Sequence, residues 1–381
     1  MRFLISLIAL CLTLCAACGP INSPANLTPT PAVPLTTNTV PAATVTFPPP
    51  QPTATESLPP SATPIPEIHL LFTGDINPGR CVYAYSKQAN DMGLPYRPLA
   101  EKLKSADLTI GSLDGALSDY NPSPPCMETR NLLAPAEAVQ GLQFAGFDVL
   151  TVATNHIKDC GLVRGCIDQS MLDTLQNLRA AGIQPAGAGN NLAEATTPVI
   201  IPLHGVRFAF LGFTAIARTL AATETTAGPA PFDPDVYLDA IRRAKAQADV
   251  VIVMPHWGTE YSGRINWEQI ESVPEMIAAG ATLIVGNHPH HVQGVEKFPE
   301  GAVAAYSLGN FVFDQEWSDG RQFPIQGIML EVTFRGAQME SVNPVPIHIH
   351  NNFQPRLAEP EEAAVILKDV ADSMAQMPRR R

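Results

Sequence analysis

Short apolar runs recur along this chain, each closed by a polar or small residue instead of blending into an amphipathic stretch. Those at Ile68–Phe72, Leu108–Ile110, Val149–Ala153, Val199–Pro202, Phe208–Phe213, Val250–Met254, Thr282–Val285 and Val303–Leu308 read as buried strands. Between several of them the apolar positions recur at helical spacing, which predicts helices over Leu99–Lys104, Pro135–Ala145, Gln169–Ala181, Pro234–Gln247 and Trp267–Ala279. Strand followed by helix, repeated, implies a largely parallel sheet with covering helices. The order changes in two places. Val199–Pro202 and Phe208–Phe213 are joined across a turn at His204 and Gly205, and Ile328–Phe334 and Val345–His350 follow each other without a helix between. Part of the sheet is therefore expected to be antiparallel, and two packed sheets, each covered by helices, accommodate both patterns. The fold class expected is α/β. A last amphipathic segment, Glu359–Met377, predicts a helix ending in a basic tail.

The first residues follow another pattern. Arg2, an apolar run from Phe3 to Leu14 and the small residues Ala16 and Ala17 make Met1–Cys18 a secretory signal, too short to span a membrane with margin. Cys18, followed by Gly19, resembles the lipidated cysteine of a bacterial lipobox, with Cys15 where leucine is more usual. Residues 19–66 are rich in Pro, Thr, Ala and Ser, a composition that cannot bury enough surface to offset its ordering entropy. This segment is expected to be a tether that could hold a domain up to roughly 100 Å from a membrane, at about 3 Å per residue. The expected organisation is a signal over 1–18, a tether over 19–66, one domain over 67–350 and a helical tail over 351–381, in a lipoprotein anchored outside the cytoplasm at the bacterial cell surface.

Net charge is −12, with no basic cluster apart from Arg379, Arg380 and Arg381. A nucleic-acid partner is disfavoured, since phosphate binding needs a basic surface. Cys81, Cys126, Cys160 and Cys166 fall in the presumed domain, where an even number in an exported chain invites disulfides and three pairings are possible. The short Gly-containing loop favours Cys160 with Cys166, leaving Cys81 with Cys126. Thiolate ligation of zinc is the competing view, against which stands the lack of any CxxC spacing.

Candidate chemistry lies in six segments that follow apolar runs: GDINPGR (Gly74–Arg80), GSLDG (Gly111–Gly115), ATNH (Ala153–His156), PHWGTE (Pro255–Glu260), GNHPHH (Gly286–His291) and SLGNFVFD (Ser307–Asp314). Ligands of α/β folds gather at the carboxyl ends of strands, where loops leave the sheet. Asp75 offers a hard oxygen, Asn155 an amide oxygen, and His156, His256, His288 and His290 imidazole nitrogens, a mixed donor set suited to one or two divalent ions. In an extended stretch His288 and His290 face the same side across Pro289, which favours joint ligation, while His291 faces away. Each residue also has a plainer reading: Asp75 as a turn or cap residue, Asn155 and His156 as loop closure, Trp257 as core instead of a substrate-stacking ring. His69, His204, His348 and His350 lack acidic company in sequence and read as hydrogen-bonded structural residues.

Six motifs in this order resemble the CapA family of capsule-synthesis proteins, also met as the poly-γ-glutamate biosynthesis protein PgsA, within the calcineurin-like metallophosphoesterases. The matching stretches are TGDINPGR, FDVLTVATNHIKDCG, GAGNNLAEATTPV, VVIVMPHWGTEY, GNHPHHVQGVE and AYSLGNFVFD, spread over roughly residues 67 to 335. The resemblance implies a four-layer α/β/β/α sandwich of the metallo-dependent phosphatase type. It also implies a surface role in making, exporting or anchoring an anionic polymer, in company with a membrane synthase complex. Carried over by position, Asp75, Asn155, His156, His256, His288 and His290 are similar to the family's motif residues. The expected ligands of one or two ions of manganese, zinc or iron are Asp75, Asn155, His256, His288 and His290, the expected catalytic residues His156 and Asp114, and the expected substrate contacts Trp257, Glu260 and Asn310. Two departures stand out. Ser112, Leu113 and Asp114 replace the family's Asn-Leu-Glu, and Asp75, Ile76 and Asn77 stand where phosphoesterase relatives have Asp-x-His, which predicts one weakened metal position. A metal-dependent hydrolase and a non-catalytic polymer-binding or synthase-complex subunit are the two functional expectations.

Overall fold

The computed structural model describes residues 65–120, 126, 130–160, 167–314 and 325–380. The signal, Cys18, nearly all of the tether and Cys166 lie outside the described residues.

Alternation along the strands decides the layers. In the strand Glu67–Ile76, Ile68, Leu70 and Phe72 enter one core, whereas Leu71 and Ile76 enter another. In Val206–Thr214 and Val250–His256, Phe208, Phe210, Val250, Ile252 and Met254 join the first of these cores, while Ala209, Leu211, Phe213, Val251 and Val253 join a third. Successive side chains of a strand point to opposite faces, so each strand is buried on both sides and the shared core lies between two sheets. Phe208 of one sheet meets Phe334 of the other edge to face, with centroids 5.3 Å apart. Helices cover the outer faces: Leu142, Met171, Leu175 and Leu178 pack against the first sheet, and Tyr237, Ile241, Ile270, Val273 and Met276 against the second. The architecture is therefore four-layered, α/β/β/α.

The first sheet runs Gln354–Leu357, Gln338–His350, Gln326–Arg335, Glu67–Ile76, Leu108–Leu113, Val149–Thr151 and Gln184–Ala186 in spatial order. Its pairings are parallel from Glu67–Ile76 to Gln184–Ala186 and antiparallel on the other side. The short strand Asn310–Val312 pairs with the end of Glu67–Ile76, setting Asp75 opposite Asn310. The second sheet runs Val295–Lys297, Val303–Ala305, Leu283–Val285, Val250–His256, Val206–Thr214 and Val199–Leu203, parallel in the middle and antiparallel at both edges.

Two boundaries differ from the sequence reading. The fold does not end at His350, because Gln354–Leu357 adds a strand and the helix Pro360–Ala375 places Ile366 and Val370 in the core between the sheets. The helix Arg80–Gln88 was not expected, since its polar sequence buries only Val82 and Ser86 and gives little apolar periodicity to read.

Candidate metal centre

Strand ends of both sheets supply the site. Asp75 closes Glu67–Ile76, Asp114 follows Leu108–Leu113, and Asn155 and His156 lie on the loop after Val149–Thr151, all from the first sheet. His256 ends Val250–His256, and His288 and His290 lie just beyond Leu283–Val285, from the second sheet. Two glycines allow the close approach. A Cβ on Gly74 would lie 2.0 Å from the carbonyl oxygen of Gly309, and one on Gly286 would lie 2.1 Å from that of Tyr306.

The side chains converge. His256 Nε2 lies 2.7 Å from Asn155 Oδ1, 3.2 Å from His288 Nδ1 and 3.7 Å from Asp114 Oδ1. His256 Nδ1 is 3.9 Å from Asp75 Oδ1. His290 is 3.7 Å from Asp75 Oδ2 through Nδ1 and 3.9 Å from Asp114 Oδ2 through Nε2. The backbone N–H of His288 donates to Asp75 Oδ2 at 3.0 Å. Asp75, Asp114 and His256 are fully buried, and His288 and His290 nearly so.

Burial raises the carboxyl of Asp75 well above its ordinary range, with the charge of Asp114 adding to it, and burial likewise raises Asp114. The same burial drives the rings the other way: His256 falls well below the usual imidazole value, His288 to about 4 and His290 to about 3. Neutral rings beside acids that resist ionisation describe a cluster short of positive charge. His156 is the exception. Burial disfavours its charge, but Asp114 and the hydrogen-bonded Asp159, 2.7 Å from Nδ1, outweigh that and push it up to about 9.

Among the described residues no group of three or more His, Cys, Asp or Glu side chains is arranged to hold an ion as it stands. The donors meet one another instead, as the contacts of His256 with Asn155 and His288 illustrate. Their chemistry nevertheless fits a divalent cation. Asp75 Oδ1, both oxygens of Asp114 and His256 Nδ1 are buried without hydrogen-bond partners among the described residues, a costly state for polar atoms. Two ligands on bonds of about 2.1 Å to one ion stand roughly 3 Å apart or slightly more, so the separations between these donors need only small side-chain shifts to meet it.

Several expectations are corrected. Trp257 is fully buried, its Nε1 donates to the carbonyl of Tyr306 at 2.9 Å and its ring packs in the outer core of the second sheet, so it is structural and stacks on no substrate. Asn310 is also buried and sits 2.8 Å from His290 Nδ1 through Oδ1, which makes it an orienting partner of that ring. Asp114 stands among the ligand candidates. Glu260 is exposed beside the site. His288 and His290 do not come from an extended stretch, for their φ angles are 95° and 56° and left-handed turns swing the two rings to a centroid separation of 6.1 Å. Asn77 holds Asp314 Oδ1 and the N–H of Gly79 and offers nothing to an ion. Cys81 is disulfide-bonded to Cys126, and Cys160 is disulfide-bonded as well. The sequence reading missed Arg80, Asp314 and Tyr261, all of which lie inside the quoted stretches; without coordinates nothing tied them to the donors.

A four-layer α/β protein with imidazoles, carboxylates and an amide gathered where two sheets meet is the class that fold and site define. The chain belongs to the family of the bacterial capsule synthesis protein PGA_cap, whose model matches residues 69–315. It is 32% identical over 279 residues to the PGA biosynthesis protein CapA of Bacillus subtilis, covering 73% of this chain and 71% of that one. It is 34% identical over 261 residues to the capsule biosynthesis protein CapA of Bacillus anthracis, covering 66% and 61%. Among solved structures it is similar to a putative 5'-nucleotidase from Staphylococcus aureus, 14% identical with a TM-score of 0.47, over 81% of this chain and 58% of that one.

Proposed function

We propose that this chain is a metal-dependent hydrolase that acts on an anionic cell-surface polymer during capsule or poly-γ-glutamate production, carried on a lipid anchor at Cys18. The observation that carries the reading is the convergence of Asp75, Asp114, Asn155, His256, His288 and His290, with buried carboxylate oxygens that have no hydrogen-bond partner among the described residues. Those residues would hold one or two divalent ions, manganese, zinc or iron, and when bound such an ion supplies Lewis acidity and lowers the pKa of a water. Asn310 fixes the ring of His290 through Nδ1, leaving Nε2 toward Asp114. Asp159 does the same for His156, so that the ring can give its Nε2 proton to the leaving oxygen or nitrogen of a phosphoester or amide. The polymer, a membrane synthase complex and the membrane itself are the partners this reading assigns.

The test is bound metal, measured in the purified protein and in His288→Ala, together with hydrolysis of a γ-linked glutamate polymer and of an aryl phosphate. The reading expects metal near one or two equivalents, reduced in the variant; equal, near-zero content in both overturns it. A second reading, a non-catalytic polymer-binding subunit, is supported by the diversion of Asn77 to Asp314 and by Ser112 in place of an amide. It expects His156→Ala to keep capsule formation in cells, whereas the hydrolase reading expects its loss.

A further inference from the structure

Asn287 lies between the strand Leu283–Val285 and the donor His288 and is 2% exposed. Its Oδ1 is buried without a hydrogen-bond partner among the described residues, and His256 Nδ1 is in the same state. Each such orphan is costly, and native structures keep few of them.

The backbone sets these two residues abreast. The N–H of Asn287 donates to the carbonyl of Pro255 at 3.0 Å, and the N–H of Trp257 donates to the carbonyl of Asn287 at 3.0 Å, so Asn287 is bonded to both neighbours of His256. That is the pattern of a parallel ladder, in which facing residues lie about 4.8 Å apart and turn their side chains to the same face. Alternation decides which face it is. Val250, Ile252 and Met254 enter the core between the sheets, as do Leu283 and Val285, so continuing by twos brings His256 and Asn287 to that same side. Gly286 faces the other way, since a Cβ on it would lie 2.3 Å from Nε1 of Trp257, a ring of the outer core. The amide of Asn287 therefore stands beside His256, on the side where the donors of both sheets meet.

The two orphaned atoms are chemically complementary. His256 Nε2 is the nitrogen that lies among the other donors, 2.7 Å from Asn155 Oδ1 and 3.2 Å from His288 Nδ1. A neutral imidazole that gives Nε2 to an ion carries its proton on Nδ1, and that N–H needs an acceptor. The same site already pairs an amide with a ring in this way, Asn310 Oδ1 lying 2.8 Å from His290 Nδ1. We propose that Asn287 is the positioning residue of His256, its Oδ1 accepting the Nδ1–H when Nε2 is given to a divalent ion. Asp75 Oδ1, the rival acceptor at 3.9 Å from Nδ1, then stays with the ion. The proposal rests on the metal-binding part of the hydrolase reading and not on hydrolysis itself.

Full-length protein is compared with Asn287→Leu, which removes the acceptor at similar volume, and with Asn287→Asp, which keeps it. Manganese affinity is read by competition with a fluorescent chelator, and urea unfolding is followed without metal. Zinc-loaded protein carrying isotope-labelled histidine reports the His256 ring by NMR, its signals assigned by their loss in His256→Gln. Manganese affinity about 10- to 100-fold lower is expected in Asn287→Leu. Its metal-free urea midpoint is expected to be no lower than that of wild type, because leucine replaces an unpaired buried oxygen. Asn287→Asp is expected to bind at least as tightly as wild type. In zinc-loaded wild type the Nδ1 proton of His256 is expected to be protected from solvent exchange, to lose that protection in Asn287→Leu and to move downfield in Asn287→Asp, where the acceptor is charged.

Wild-type affinity in Asn287→Leu overturns the proposal. So does a loss of affinity matched by a lower metal-free midpoint, which marks a structural role, and so does protection retained in Asn287→Leu, which gives the proton to Asp75. Should Asn287→Leu fail to fold, the NMR of the other two proteins decides: an unprotected Nδ1 proton in wild type, or one unmoved in Asn287→Asp, overturns the proposal. A wild type that takes up neither metal overturns it together with the hydrolase reading. Metal uptake with the expected losses but no hydrolysis overturns that reading alone.

Discussion

His290 owes its orientation to Asn310, which sits in a short strand register-matched to Asp75. Partners that orient a ligating imidazole are worth about 10- to 100-fold in metal affinity. Asn310→Leu is accordingly expected to weaken manganese binding by that factor, read by competition with a fluorescent chelator, and to cost about 1–3 kcal/mol of stability by leaving His290 Nδ1 without its partner; wild-type affinity would remove Asn310 from this role. Gly74 answers to a steric demand. Alanine there would press its Cβ into the Gly309 carbonyl, and Gly74→Ala should cost about 3 kcal/mol in urea unfolding, at the upper end for overpacking. The residue types of the site were readable because Asp, Asn and His each close an apolar run. The roles of Trp257 and Asn310 were not, since an aromatic or an amide after a strand serves a ligand and a core equally well in sequence, and only burial separates the two.

At the level of elements, strands and long helices followed their periodicity, and the misreadings fell where periodicity is weak. The helix Arg80–Gln88 is mostly polar, and the strand Gln354–Leu357 buries only Pro355. That strand and the helix after it are integral to the fold. A chain stopped after His350 loses the burial of Ile366 and Val370 and is expected to be insoluble or to melt well below the intact protein, as scanning calorimetry would report. The start of the final helix also carries a pH dependence. Glu362 is held down to about 2 by the Arg356 guanidinium and by the N–H of Glu359. Its pKa is lowered on folding, so its contribution is present above the ordinary carboxylate value of about 4.3 and is lost as pH falls towards the folded value. The stability gap between wild type and Glu362→Gln should therefore be wide at pH 6 and narrower at pH 3, measured by urea unfolding at both.

For the whole molecule, sequence order announced two sheets but could not say that their carboxyl ends face one another, because that depends on how the layers pack and not on any local pattern. The packing puts half of the donors on each sheet. An ion bound there ties the two sheets together, and manganese at a hundredfold excess over its Kd should add about 2.7 kcal/mol to the unfolding free energy. In a domain of this size that is a rise of roughly 5 °C in Tm, reversed by chelator. An unchanged Tm would mean that the sheets are not joined this way.

The bond between Cys81 and Cys126 spans a sequence separation of 45 and begins one residue after the arginine that grips Asp314. Closing a loop of that length removes roughly 4 kcal/mol of chain entropy from the unfolded state. Thiols held reduced would forgo that stitch, so the corner of the molecule that carries Arg80 acquires its final stiffness only in an oxidising environment.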